Sequence, residues 1–229
     1  MTPRSLASDF VRLMHLPLPL FVLAFATIGA SLSEQIDVRR LALTYAGILL
    51  ALCLGAYSLD ELHERPYRTR FSDSTLEAMA GIGIFGATMI AVYLAQTVSP
   101  YILIFAVLAC FFIFSYNLEL FRGRFHNAVW FGISWGGIST LASYFVQAVN
   151  VSVSSVLVSA MASVLSVGIL LLTHKFRPKE LLKNLDSTVR TPDLIELSRQ
   201  MRRIAWTIVK VECCAVVLLA AGLIIPKLI

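Results

Sequence analysis

Run after run of about 18 to 22 residues passes along this chain almost without charge, and that is the length an α-helix needs to cross the hydrocarbon core of a bilayer. Seven such runs can be drawn, at roughly residues 16 to 33, 41 to 60, 76 to 97, 101 to 118, 127 to 147, 152 to 174 and 204 to 225. In lipid every backbone N–H and C=O needs a partner from the chain, so only helices and closed barrels can span. The runs are continuous rather than alternating, which favours helices over strands. The expected fold class is therefore all-α, a polytopic transmembrane helical bundle of about seven spans forming one integral membrane domain over residues 1–229. No linker is long or polar enough to introduce a separate soluble domain.

The net charge of +5 takes its meaning from where the basic residues fall. Of the 19 Lys and Arg residues, 16 lie in the N-terminal segment, the second, fourth and sixth loops, or the entry to the last span; Arg39, Arg40 and Lys227 alone lie opposite. The positive-inside rule then places the N-terminus and all polar loops in the cytoplasm and the C-terminus outside. Scattered through short loops, these cations are not a nucleic-acid-binding face. The longest polar loop, at about 175–203, holds Thr191-Pro-Asp-Leu-Ile-Glu, an N-cap followed by first-turn proline and acids. A helix is expected to start there and lie along the interface, with Leu194, Leu197, Met201, Ile204 and Ile208 on one face and a snorkelling collar of Arg199, Arg202 and Arg203 on another.

Cys53, Cys110, Cys213 and Cys214 sit inside apolar runs without metal or disulfide spacing and read as small buried hydrophobes. The N-terminal run, flanked by Arg4 and Arg12, mimics a signal peptide but is long enough to stay as a first helix. His15 and His174 read as interfacial residues. Lys210 invites a retinal Schiff-base reading, but it lies too near the interface, and Glu212, two residues on, points to a different helix face.

Chemistry is concentrated in two stretches. In Gly55-Ala-Tyr-Ser-Leu-Asp-Glu-Leu-His-Glu-Arg-Pro-Tyr-Arg-Thr-Arg70 an apolar helix runs into carboxylates, a histidine and three arginines. Asp60 and Glu64 share one helix face, and Pro66 is expected to end the helix. The second stretch is Phe114-Ser-Tyr-Asn-Leu-Glu-Leu-Phe-Arg-Gly-Arg-Phe-His-Asn127, on the same side of the membrane. It brings oxygen donors in Asn117 and Glu119, a nitrogen in His126, and cations in Arg122 and Arg124; hard oxygen ligands suit magnesium better than zinc. A carboxylate at the hydrocarbon edge tends to face a bundle interior or a watery cavity, so Asp60 and Glu119 are expected to face one cavity.

An acidic motif closing the second span, a tyrosine motif closing the fourth and a polar loop after the sixth resemble the UbiA superfamily of intramembrane prenyltransferases. Where that family shows Asn-Asp-x-x-Asp-x-x-x-Asp, this chain has Ala56-Tyr57-Ser58-Leu59-Asp60-Glu61-Leu62-His63-Glu64, matching outright at Asp60 and conservatively at Glu64. Tyr116 fits the family's tyrosine, whereas its lysine is absent, and the second acidic motif is reduced to Glu180 and Asp186, out of register. The family commonly has nine spans against seven here.

The resemblance implies a UbiA-like membrane prenyltransferase that moves a prenyl group from a polyprenyl diphosphate to a lipophilic acceptor. Asp60 and Tyr116 would be catalytic. Magnesium would be held by Asp60 and Glu64; apart from the family pattern, Glu61, Asn117, Glu119 and His126 offer replacement ligands. Arg65, Arg68, Arg124 and His126 would grip the diphosphate, and Phe131, Trp135 and Tyr144 would shield a carbocation. Two other functions fit the same residues: a non-catalytic protein of this fold that binds an isoprenoid or an anionic lipid, and a different metal-dependent reaction such as diphosphate hydrolysis.

Overall fold

The computed structural model describes residues 5–14, 17–175 and 191–228, and every regular element among them is a helix. The elements are α1 (Leu6–Met14), α2 (Pro17–Ser31), α3 (Val38–Glu64), α4 (Asp73–Thr97), α5 (Ile102–Asn117), α6 (128–148), α7 (Val153–Lys175) and α8 (Thr191–Leu228). Four helical stretches, Val38–Glu64, Asp73–Thr97, Val153–Leu172 and Arg199–Leu228, are long and apolar enough to cross a membrane. The pair α1 and α2, bent by 42°, makes a fifth if it counts as one span, and α5 is apolar but only 16 residues long.

Local chemistry sets the helix ends. Asp37 caps α3 by accepting from the Arg40 N–H at 3.0 Å, Ser72 caps α4 through the Thr75 N–H at 3.2 Å, and Asn127 caps α6 through Val129 and Trp130. α3 stops where Arg65 turns left-handed, φ 53°, just before Pro66. Large apolar side chains such as Phe85 and Leu218, 68% and 72% exposed, cover the outer surface. That surface belongs against acyl chains.

Hydrogen bonds distant in sequence define two ends of the bundle. At one, the guanidinium of Arg70 donates to the wholly buried Asp9 at 2.7 Å. At the other, the Asp37 N–H donates to Gln147 at 2.9 Å, Arg40 donates to the Val146 carbonyl at 3.3 Å, and Lys227 donates to the Ser33 carbonyl. Each helix from α2 onward carries the chain from one end to the other, so the 64–73 and 117–128 connections share the end occupied by α1.

Three features depart from the sequence reading. α3 and α6 each contain a π-helical segment, Leu50–Ala56 and Gly132–Ile138; in α3 the Tyr57 N–H bonds to the Leu52 carbonyl, one residue further back than in an α-helix. Both lie where a neighbour comes very close. A Cβ at Gly83 of α4 would sit 2.5 Å from Gly55 N and 2.6 Å from Leu50 O, and one at Gly136 would sit 2.3 Å from the Ala162 carbonyl of α7. The third is α8, which begins at Thr191 as expected but runs unbroken for 38 residues to Leu228, in place of a separate interfacial helix. No glycine or proline between Asp193 and Ala221 interrupts it. Residues 176–190, with Glu180 and Asp186, lie outside the described residues, as do His15 and the side chain of His174.

Candidate functional site

The last turns of α3 deliver two adjacent carboxylates to different surroundings, because successive helical residues point about 100° apart. Glu61 is fully buried, at 0% exposure. One of its oxygens accepts the Tyr67 N–H at 2.8 Å; the other accepts the N–H and the hydroxyl of Thr69 at 2.6 and 2.9 Å. This carboxylate folds the 65–70 loop back onto the helix. Asp60 is half-buried and makes no hydrogen bond among the described residues, while His63 and Glu64 are exposed.

The loop arginines divide in the same way. Arg65 donates to the Phe71 carbonyl at 2.8 Å and pairs with Asp73, and Arg70 pairs with Asp9. Arg68, left-handed at φ 51° and exposed, has no ion pair among the described residues.

In the second stretch the Asn117 amide donates to the Ile113 carbonyl of its own helix at 2.7 Å. The chain then turns through left-handed Glu119, Phe121, Arg122 and Gly123. Phe111, Phe112, Phe121, Phe125 and Trp130 pack into a ring cluster that holds this turn against α5 and α6. His126 is fixed from three sides. Its Nδ1 lies 2.9 Å from the Tyr116 carbonyl, which can only accept, so Nδ1 carries a proton. Its ring stacks on Tyr116 at 4.5 Å, and its Nε2 stands 3.8 Å from Glu119 Oε1. Arg122 and Arg124 are exposed and without an ion pair among the described residues.

The two stretches meet. Tyr57 and Leu59 of α3 share one buried cluster with Ile113 of α5, and Leu62, Tyr67 and Leu118 pack against it. Tyr116 and Glu119 flank His126 on the second stretch.

Tested against a magnesium ion, this donor set does not fit. Of the five expected oxygen ligands, Glu61 is used by the loop and Glu119 faces His126. That leaves the carboxylates of Asp60 and Glu64 and the amide oxygen of Asn117, whose N–H donates into its own helix, and among the described residues no three His, Cys, Asp or Glu side chains form a metal-holding group. Arg65 likewise leaves the expected diphosphate grip, since Asp73 already neutralises it.

Beneath the polar end an apolar cavity of about 170 Å³ lies between α3, α4, α5 and α6, lined among others by Ala51, Ile84, Ala109, Ile113 and Trp135. Both π-helical segments contribute to its wall. Of the aromatic residues expected there, only Trp135 lines it. Phe131 packs on Tyr116 at 5.8 Å, and Tyr144 bonds Asn150 near the opposite end. Tyr57, Ser58 and Ser115, all buried near Asp60 and Tyr116 in sequence, have hydroxyls without a hydrogen-bond partner among the described residues. Neither the Glu61 clamp nor the His126 stack has a signal in sequence, because both depend on how the two loops fold.

Fold and site together define an all-helical membrane protein with an apolar cavity beneath a polar, arginine-bearing end. Compared with protein-family models, curated proteins and solved structures, the chain matches none.

Proposed function

We propose that the protein is a UbiA-like, seven-pass membrane protein that holds an isoprenoid or other lipid with an anionic head, its tail in the cavity and its head at the cytoplasmic polar end. One observation carries this reading. Ile113, in the cavity wall, hands its carbonyl to Asn117 four residues on, so apolar space and polar end are one helical turn apart. The cavity of about 170 Å³ exceeds the 150 Å³ or so that accommodates benzene in an engineered core, so it suits a short apolar segment with the rest of the chain in lipid. The test is mass spectrometry of lipid retained by the purified protein, followed by binding of a polyprenyl diphosphate in nanodiscs. Retention of no isoprenoid or anionic lipid, together with no binding, would overturn the reading.

A second reading is prenyl transfer from that diphosphate to a lipophilic acceptor. It is favoured by the aromatic rings of Tyr116, stacked on His126, and of Phe131, packed on Tyr116, since such π faces stabilise cationic carbon. Asp60 and Tyr116 would then touch the reacting groups, and Arg68 and Arg124 the departing diphosphate. Formation of a prenylated product by the purified protein is the deciding measurement.

A further inference from the structure

We infer that the anionic head at the polar end is held by side-chain cations directly, without a bridging divalent ion. This rests on the lipid-binding reading above and departs from the magnesium that the resemblance implies. A bridging ion needs several carboxylates free to face it, and here all of the expected carboxylate ligands but Asp60 and Glu64 are engaged elsewhere. Glu61 accepts three protein donors, Glu119 stands opposite the His126 imidazole, Asp73 neutralises Arg65, and Asp9 neutralises Arg70.

The cations are distributed the other way. Arg68 from the first loop, and Arg122 and Arg124 from the second, are exposed at the same end and lack an ion pair among the described residues. Two arginines are thus spent on the fold and three are left over. His126, held rigid by the Tyr116 carbonyl and ring, adds a fourth group that is cationic when protonated. Guanidinium forks match phosphate oxygens without help from a metal. In this arrangement Asp60 is an unpaired negative charge beside the head, so it opposes an anion instead of recruiting one.

The two mechanisms give opposite results for Asp60. The full chain in nanodiscs of neutral lipid is titrated with a polyprenyl diphosphate and, separately, with inorganic pyrophosphate, each with magnesium or with EDTA. The expected result is affinity for the lipid unchanged within about twofold between magnesium and EDTA, and a loss of about tenfold or more in Arg68→Gln and Arg124→Gln, the range of a charge-assisted hydrogen bond. Asp60→Asn, which keeps size and removes charge, is expected to bind equally or more tightly with an unchanged melting temperature; Glu77→Gln, exposed on α4, controls for surface charge.

Binding that EDTA abolishes, or that Asp60→Asn destroys in folded protein, overturns the inference and leaves the lipid-binding reading standing. Pyrophosphate bound as tightly as the lipid supports metal-free anion binding and overturns a lipid as its source. No binding of either probe in either condition overturns the underlying reading and this inference with it.

Discussion

Thr69 gives both its backbone N–H and its hydroxyl to a single oxygen of Glu61, at 2.6 and 2.9 Å. Eight residues apart in sequence, the two close the loop that carries Arg65, Arg68 and Arg70. Because Glu61 is fully buried, its charge is acceptable only with these donors in place.

Glu61→Ala would leave the buried Thr69 N–H and hydroxyl, and the Tyr67 N–H, without an acceptor. The expected cost is about 2 to 5 kcal/mol, read as a lower melting temperature in detergent and faster proteolysis between Arg65 and Arg70. Glu61→Gln keeps an acceptor oxygen and should cost less. An Ala variant as stable and protease-resistant as the parent would show that the loop does not depend on this carboxylate.

Two glycines on one helix should respond oppositely. A Cβ at Gly83 would meet Gly55 N and Leu50 O of the π-helical segment at 2.5 and 2.6 Å, backbone atoms that cannot step aside, whereas one at Gly81 meets nothing within 4 Å. Gly83→Ala is expected to destabilise by about 2 kcal/mol or more through overpacking, and Gly81→Ala to stabilise by up to about 1 kcal/mol through helix propensity. Thermal unfolding of the two variants side by side checks the pair; equal behaviour would remove the close approach of α3 and α4.

What could be read from sequence follows from the length scale of each signal. Asp73–Thr97 and Val153–Lys175 fall within a few residues of the expected 76 to 97 and 152 to 174, because an apolar run and its caps are local properties. The π-helical turns at Leu50–Ala56 and Gly132–Ile138 carry no such mark; they coincide with close approaches between helices, at Gly83 of α4 for the first and between Gly136 and α7 for the second. For the site, the side of the bundle was legible and the use of each acid was not. Asp60 and Glu61 are chemically near-equivalent neighbours, and only the folded 65–70 loop makes one a clamp and leaves the other open.

Orientation is tested by reporters. With 16 of 19 basic residues expected on one side, a reporter fused after Ile229 should report the outside, and one inserted near Asn184 the cytoplasm. A third, at Asn150 in the uncharged turn between α6 and α7, should agree with the C-terminal one, since both adjoin the end where Lys227 reaches Ser33. Reporters on both sides of α7 giving the same answer would mean that α7 does not span.

The cavity itself can be filled. Ala109 of α5 lines it together with Ala51, Ile84 and Trp135, and it lies two turns below the polar end, away from Asp60 and His126. Ala109→Phe places a ring where the lipid tail is proposed to lie. If that space is merely a packing gap, a larger apolar side chain recovers contacts that the empty space forfeits, and stability rises without further effect. If it is the tail site, the same substitution should lower polyprenyl diphosphate affinity by about tenfold or more, the equivalent of about 1.4 kcal/mol, while binding of inorganic pyrophosphate at the polar end is unchanged. Separating head from tail in this way needs both ligands on one variant: loss for the lipid alone assigns the cavity to the tail, loss for both indicates a disturbed polar end, and loss for neither removes the cavity from the binding site.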